Sequence, residues 1–160
     1  MTRDPGDRRP LSLRAVAAGA AVQVPYLLAL LALPVGTAPL SSAALLAGAG
    51  ALGGATAGHL AGDPPERGRR HGLYSGAVGG LCLAGLFVAA VYVPAVPYGA
   101  THWFATLVTA RIPVAAYVAG RDPYLVAAAA LLAVPWTALA GRIAGGRVPS
   151  DPAELGVIRR

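Results

Sequence analysis

The amino-acid sequence predicts an all-α fold: a polytopic membrane helix bundle of four transmembrane helices plus an outer amphipathic or re-entrant segment. Composition is the first observation behind this prediction. Hydrophobic residues make up 56% of the 160 residues and charged residues only 12%, whereas a soluble domain carries about 25% charged residues. The second observation is that the apolar residues form long blocks, and roughly 20 apolar residues suffice to cross a hydrocarbon core of about 30 Å.

The blocks divide the chain into a cytoplasmic polar N-terminus (1–14), a single transmembrane helical domain (15–146) and a cytoplasmic tail (147–160). The predicted spans are Ala15–Val35, Ser41–Ala61, Leu73–Val93 and Tyr124–Ile143. A polar loop, Gly62–His71, separates the second span from the third. The first and last blocks contain a proline, which a spanning helix tolerates where its neighbours satisfy the freed carbonyl.

A cleaved signal peptide is the competing interpretation of the first block. A signal peptide also begins with basic residues, but its apolar region has roughly 7–15 residues and is followed by a small-residue cleavage site. The apolar block here is longer, and no clean Ala-x-Ala site follows it. We therefore interpret the block as a retained span.

The arginines predict the orientation of the spans. Four spans place eleven of the thirteen arginines on the side of both termini, and only Arg111 and Arg121 on the other side. Since basic residues accumulate in cytoplasmic loops, we expect a multi-pass protein of the cell membrane with its N- and C-termini in the cytoplasm. The ambiguous segment Gly99–Gly120 contains Arg111, and a central arginine costs about 2.5–3.5 kcal/mol on insertion. We therefore place this segment outside or at the outer interface.

Glycines recur at every fourth position on both sides of the polar loop. Residues spaced by four lie on one helical face, and small residues allow the close backbone approach that drives helix association in lipid. The two stripes therefore predict a tight antiparallel hairpin of the second and third spans. The alternatives are that the glycines line a pore or join two copies of the chain. The predicted packing residues are Gly50, Gly54, Gly58 and Gly62 before the loop and Gly72, Gly76 and Gly80 after it, with a weaker stripe at Ala129, Ala133, Thr137, Gly141 and Gly145.

The run from Gly53 to Leu81, GGATAGHLAGDPPERGRRHGLYSGAVGGL, resembles the core of small haloarchaeal integral membrane proteins of unknown function. In that family a Gly-rich helix ends in AG-x-L, a short charged loop follows, and a second helix opens with a triplet such as HGL before G-x-x-GGL. The resemblance covers under a fifth of the chain. It implies membrane location and no established activity. This chain departs from the pattern in its longer outer segment and in having few acidic loop residues.

A few polar side chains are candidates for chemistry or ligand contact. Gln23 lies deep in the first span, where an amide either hydrogen-bonds across helices or contacts a polar ligand. Arg111 is the candidate for a lipid-headgroup or anion contact, with snorkelling to the outer interface as the alternative. The loop arginines Arg67, Arg69 and Arg70 are expected to contact anionic lipid of the inner leaflet. We expect no catalytic residues and no cofactor, because the sequence contains no nucleophile, phosphate-loop or dinucleotide pattern.

Metal and nucleic-acid binding are not expected either. His59 and His71 flank the loop, but their spacing matches no common ligand motif and the loop arginines would repel a cation. The net charge of +6 lies at span ends and does not form the single basic face that nucleic-acid binding requires.

The sequence therefore favours a non-enzymatic membrane protein that acts through glycine-mediated helix packing, or through association with a second copy or a partner subunit. The alternative hypothesis is a small channel or transporter component whose path is lined by Gln23, the glycine faces and the Arg111 segment.

Overall fold

The computed structural model confirms the all-α fold class, with four helical stretches long and apolar enough to cross a membrane. By length and composition this is a multi-pass membrane protein. The structure describes residues 11–32, 39–62, 64–93, 95, 99 and 123–147. The helices in this part of the chain are α1 (Leu13–Ala32), α2 (Pro39–Ala61), α3 (Pro65–Tyr92), α4 (Pro123–Leu131) and α5 (Ala133–Gly145).

The fourth span is built from two helices, α4 and α5, that meet at Leu132. Pro135 explains the interruption, because proline has no N–H to donate to the carbonyl four residues earlier, that of Leu131. The first span contains Pro25 at a comparable position, yet α1 continues through it without a break in its helical assignment.

The turn between the second and third spans is shorter than the predicted loop Gly62–His71. Helix α3 begins at Pro65, so the predicted loop arginines Arg67, Arg69 and Arg70 lie on the first helical turns. The local sequence explains the early start. Proline favours the first helical position, where the missing N–H has no intrahelical partner, and Glu66 lies in the first turn, near the positive end of the helix dipole.

The pair α2 and α3 forms the middle of the bundle, and each of these two helices packs against both α1 and α5. Successive spans run in opposite directions. Gly50 and Gly58 of α2 lie level with Thr137 and Gly145 of α5, whereas Gly72 of α3 lies level with Gly141. The start of α1, the α2–α3 turn and the end of α5 therefore lie at one end of the bundle.

The far end of the bundle is closed by apolar packing between α3 and α4. Phe87 packs with Ala84, Val126 and Ala130 in one buried cluster. Many large apolar residues face outward along the spans, among them Leu28, Leu52, Val78, Leu81 and Leu139. Such an exterior is suited to lipid, since a soluble protein rarely exposes a contiguous apolar surface of this extent.

The predicted outer segment Gly99–Gly120 falls outside the described residues except for its first one. Gly99 has a φ of +47°, and a side chain there would overlap the backbone of Leu30 and Leu31 at the end of α1. This contact places Gly99 at the far end of the bundle. The rest of the segment, including Arg111, lies outside the described part of the chain.

Candidate functional site

Gln23 is the centre of the most polar cluster inside the spans. Its side chain is 0% exposed. The amide Nε2 donates to the backbone carbonyl of Ser75 and to the Ser75 hydroxyl oxygen, both at 3.1 Å. These bonds join α1 to α3 across 52 residues of sequence. The sequence predicted that Gln23 either hydrogen-bonds across helices or contacts a polar ligand. In the structure the amide Nε2 makes two hydrogen bonds to Ser75 and so connects two helices.

Two glycines make room for the Gln23 amide, and a third lets α1 approach α2 and α3 beside it. A Cβ atom at Gly53 of α2 or at Gly79 of α3 would overlap the amide itself, and one at Gly19 of α1 would overlap the Ser75 hydroxyl and the Gly53 carbonyl. The amide Oε1 is buried without a hydrogen-bond partner and faces Gly79. A glycine Cα–H group can supply a weak contact to such an oxygen. The amide thus fills the space between α1, α2 and α3.

Gly19, Gly53, Gly79 and Ser75 were not predicted from the sequence. A signal for two of them was present in the two Gly-Gly pairs, Gly53–Gly54 and Gly79–Gly80. Adjacent residues point about 100° apart around a helix, as 3.6 residues per turn requires. The first glycine of each pair faces α1 and the second faces α5. A Gly-Gly pair in a spanning helix therefore marks a helix that packs closely on two sides.

The predicted glycine stripes converge on α5. A Cβ at Gly50, Gly54 or Gly58 of α2 would overlap the backbone of Thr137, Gly141 or Gly145, respectively. On α3, a Cβ at Gly72 would overlap the Gly141 carbonyl and one at Gly76 the Thr137 carbonyl, while Gly80 makes room for the Thr137 hydroxyl. The hairpin prediction implied that the glycines of α2 pack on those of α3. In the structure both stripes instead pack against the weaker stripe of α5, so that the backbones of three helices are in contact.

Gly62 is the one predicted packing glycine that does not lie at a contact between the described helices. A Cβ at Gly62 would meet no atom of the described residues within 4 Å, and Gly62 has a φ of +67°. Gly62 follows the last residue of α2, where a left-handed conformation commonly terminates a helix and favours glycine. Its position in the four-residue spacing is therefore a consequence of helix termination, and the packing stripe of α2 ends at Gly58.

The predicted arginines lie at the end of the bundle that holds the α2–α3 turn. Arg69 and Arg70 are exposed, and the Arg69 side chain covers Gly146 just beyond the end of α5. A cation there is favourable because the last carbonyls of a helix carry partial negative charge. Arg67 is partly buried, and its Nε has no hydrogen-bond partner among the described residues. Two of the three arginines are thus exposed, and the third is partly buried.

The two histidines near this end differ in their surroundings. His71 is buried. Its Nε2 accepts a hydrogen bond from the backbone N–H of Ser12 at 2.9 Å, and its Nδ1 lies 2.8 Å from the Arg67 carbonyl. A neutral imidazole with the proton on Nδ1 satisfies both contacts. His71 therefore fastens the start of α1 to α3, whereas His59 is exposed.

The described residues bring together no group of three His, Cys, Asp or Glu side chains that could hold a metal ion. Cys82 is exposed on α3. The polar side chains that are buried between the spans, such as Gln23, Ser75 and Thr137, make hydrogen bonds to backbone or to each other. Their geometry is suited to holding helices together.

Comparison with known proteins adds no relative. No family model, no curated protein and no solved structure matches this chain.

Proposed function

We propose that this chain is a non-enzymatic protein of the cell membrane that acts by association, with a second copy or with a different membrane subunit. In this proposal the glycine-packed bundle is the rigid body that the partner recognises, and the arginine-rich end faces the cytoplasm. The resemblance to small haloarchaeal membrane proteins is consistent with this proposal and adds no activity to it.

One observation carries the proposal: the polar and small residues inside the bundle are engaged with one another. The Gln23 amide is bonded to Ser75 and enclosed by Gly53 and Gly79. The α2 and α3 stripes are occupied by α5. Because the inner helix faces are already in contact with one another, a partner would bind to the outer faces of the bundle.

The alternative, a channel or transporter component, would need a path lined by Gln23 and the glycine faces. Within one copy these groups are in direct contact with neighbouring helices, and a path along them would require α1 or α5 to move away. Gln23 would then lose the hydrogen bonds it makes to Ser75.

The test is the state of the protein in nanodiscs excised directly from the cell membrane without detergent. We expect particles in which the chain occurs in a fixed ratio, above one copy or with one other protein, as counted by photobleaching and mass spectrometry. The same preparation in liposomes should give no ion or solute flux above that of empty vesicles. Particles holding a single copy and no other protein would contradict the proposal, and so would flux that depends on the protein.

A matched pair of glycine variants serves as the control. Gly58→Leu places a side chain against the Gly145 backbone, whereas Gly85→Leu adds the same side chain where a Cβ meets none of the described residues within 4 Å. We expect the fixed ratio to be lost with Gly58→Leu and kept with Gly85→Leu. If both variants kept it, the packed bundle would not be what the partner recognises.

A further inference from the structure

The exposed surface between α2 and α5 contains a groove that the glycine packing leaves open. Its volume is about 500 Å³, within the range of roughly 300–1,000 Å³ typical of small-molecule sites. Its walls are apolar and mostly small, namely Ala47, Gly48 and Ala51 on α2 and Ala140, Ile143 and Ala144 on α5, and Arg147 lies in its lining just beyond α5. The groove is thus apolar along its length and cationic at one end.

The groove lies between two parallel helices, and Arg147 marks its charged end. Its lining covers Ala47 to Ala51 on α2 and Ala140 to Ala144 on α5, which is about 6 Å along each helix axis at 1.5 Å per residue. Arg147 follows the last residue of α5, Gly145, at the end of the bundle that holds the other arginines. Beyond Ala47, Trp136 of α5 bridges the two helices by donating its indole N–H to the Ala43 carbonyl at 3.2 Å.

The charges at this end of the bundle identify the kind of occupant. Six arginines of the described residues lie here: Arg14, Arg67, Arg69, Arg70, Arg142 and Arg147. Glu66 is the one acidic residue in the described part of the chain. A second copy seated in this groove in the same membrane orientation would bring its own arginines close to Arg147, where like charges repel. The association proposed above would therefore use another outer face of the bundle. An anionic headgroup supplies the opposite charge at that level.

We propose that this groove binds an anionic glycerophospholipid, with one hydrocarbon chain along the Ala and Gly walls and the phosphate on Arg147. The alanine and glycine residues let the hydrocarbon chain lie closer to the helix backbones than it could on a helix face with larger side chains. The arginine then distinguishes an anionic headgroup from a zwitterionic one. This site is separate from the partner association proposed above, because one chain is sufficient to form it.

The test is native mass spectrometry of the full chain in a neutral detergent, titrated with phosphatidylglycerol or with phosphatidylcholine. We expect a bound phosphatidylglycerol at a lower lipid concentration than phosphatidylcholine. Arg147→Gln should weaken phosphatidylglycerol binding about fivefold, the effect of roughly 1 kcal/mol per arginine near a membrane surface. Arg142→Gln is the matched control, since Arg142 is exposed at the same end and is not part of the groove lining.

A second variant tests the apolar part of the site. Ala144→Leu fills the groove and leaves Arg147 in place, so phosphatidylglycerol binding should fall while the protein stays folded. The proposal is overturned if Arg147→Gln and Arg142→Gln weaken binding equally, if the two lipids bind equally well, or if the groove instead holds a second copy. That last result would be a lipid-free dimer that Ala144→Leu converts to a monomer.

Discussion

The Gln23 amide of α1 contacts both α2 and α3, because the residues that face it on these two helices are glycines. Nε2 donates to Ser75, and the Nε2 end of the amide lies against Gly53 and the Oε1 end against Gly79. Side-chain hydrogen bonds between spanning helices are worth about 0.6 kcal/mol on average and about 1.7 kcal/mol at most. With two bonds from a fully buried group, Gln23 belongs at the upper part of that range.

Gln23→Met tests this contribution, because methionine has a similar length and no amide. We expect the free energy of unfolding, measured by titration with a denaturing detergent, to fall by about 1–2 kcal/mol, as the bonds are lost and the Ser75 hydroxyl is left unpaired. Thr56→Val is the control. It removes a hydroxyl that bonds only to Leu52 on the same helix, and it should change stability by less than about 0.5 kcal/mol. A Gln23→Met protein as stable as the parent would show that the cluster contributes nothing.

At this scale the sequence predicted the polar residue but could not predict its partner. An amide in an apolar block must find a hydrogen bond, so Gln23 stands out by chemistry alone. Ser75 lies 52 residues away and resembles any other small residue of a span. Gly53 and Gly79 were not predicted as packing residues, because each adjoins a glycine that fits the four-residue spacing and that neighbour was taken as the packing residue.

Helix α5 is the element on which the packing of the other spans depends. Its Gly141 lies against the carbonyls of Gly72 on α3 and Gly50 on α2, and its Gly145 lies against those of Gly68 and Gly54. Lipid gives helices little hydrophobic drive to associate, so close van der Waals contact and weak Cα–H contacts to carbonyls must supply it. Any side chain at Gly141 would push α5 away from two helices at once.

Gly141→Ala is therefore expected to destabilise the bundle. Forcing one extra methyl group into a fully packed contact costs about 1–3 kcal/mol, and here the atoms it meets are backbone atoms that cannot rotate aside. Gly85→Ala is the matched control, since a Cβ there meets nothing within 4 Å in the part of the chain that the structure describes, and alanine is the better helix former by about 0.5–1 kcal/mol. In thermal unfolding, Gly141→Ala should lower Tm and Gly85→Ala should leave it unchanged or raise it. Equal shifts for the two variants would contradict the packing role of α5.

The lengths of the apolar blocks were sufficient to predict that the four spanning helices exist. They were not sufficient to predict where each helix begins and ends or which helices pack against each other. The stripe of α2 reports which face is small, and it does not report which helix covers that face. The α2–α3 turn was predicted too long because Arg67, Arg69 and Arg70 are polar, although a helix can carry polar residues once it leaves the apolar layer. The break at Leu132 follows from Pro135, yet the comparable Pro25 produces no break in α1, so proline alone did not decide it.

At the scale of the whole molecule, the direction of each span puts the arginines at one end. The start of α1 is bonded to α3 through Ser12 and His71, and the end of α5 lies against Gly58 and Gly68 beside the α2–α3 turn. An even number of crossings follows from this arrangement. It agrees with the crossing number expected from the positive-inside rule, which was inferred from arginine positions alone.

The most direct test of the four-span arrangement is cysteine labelling of the protein in sealed, oriented vesicles. In a Cys82→Ala background, single cysteines are placed at Arg69 and Arg147 for the arginine-rich end, and at Leu40 and Val93 for the far end. An impermeant thiol reagent should label Arg69→Cys and Arg147→Cys from one side of the membrane, and Leu40→Cys and Val93→Cys only from the other side. Labelling of Arg69→Cys and Arg147→Cys from opposite sides would mean an odd number of crossings between them, and would contradict the arrangement.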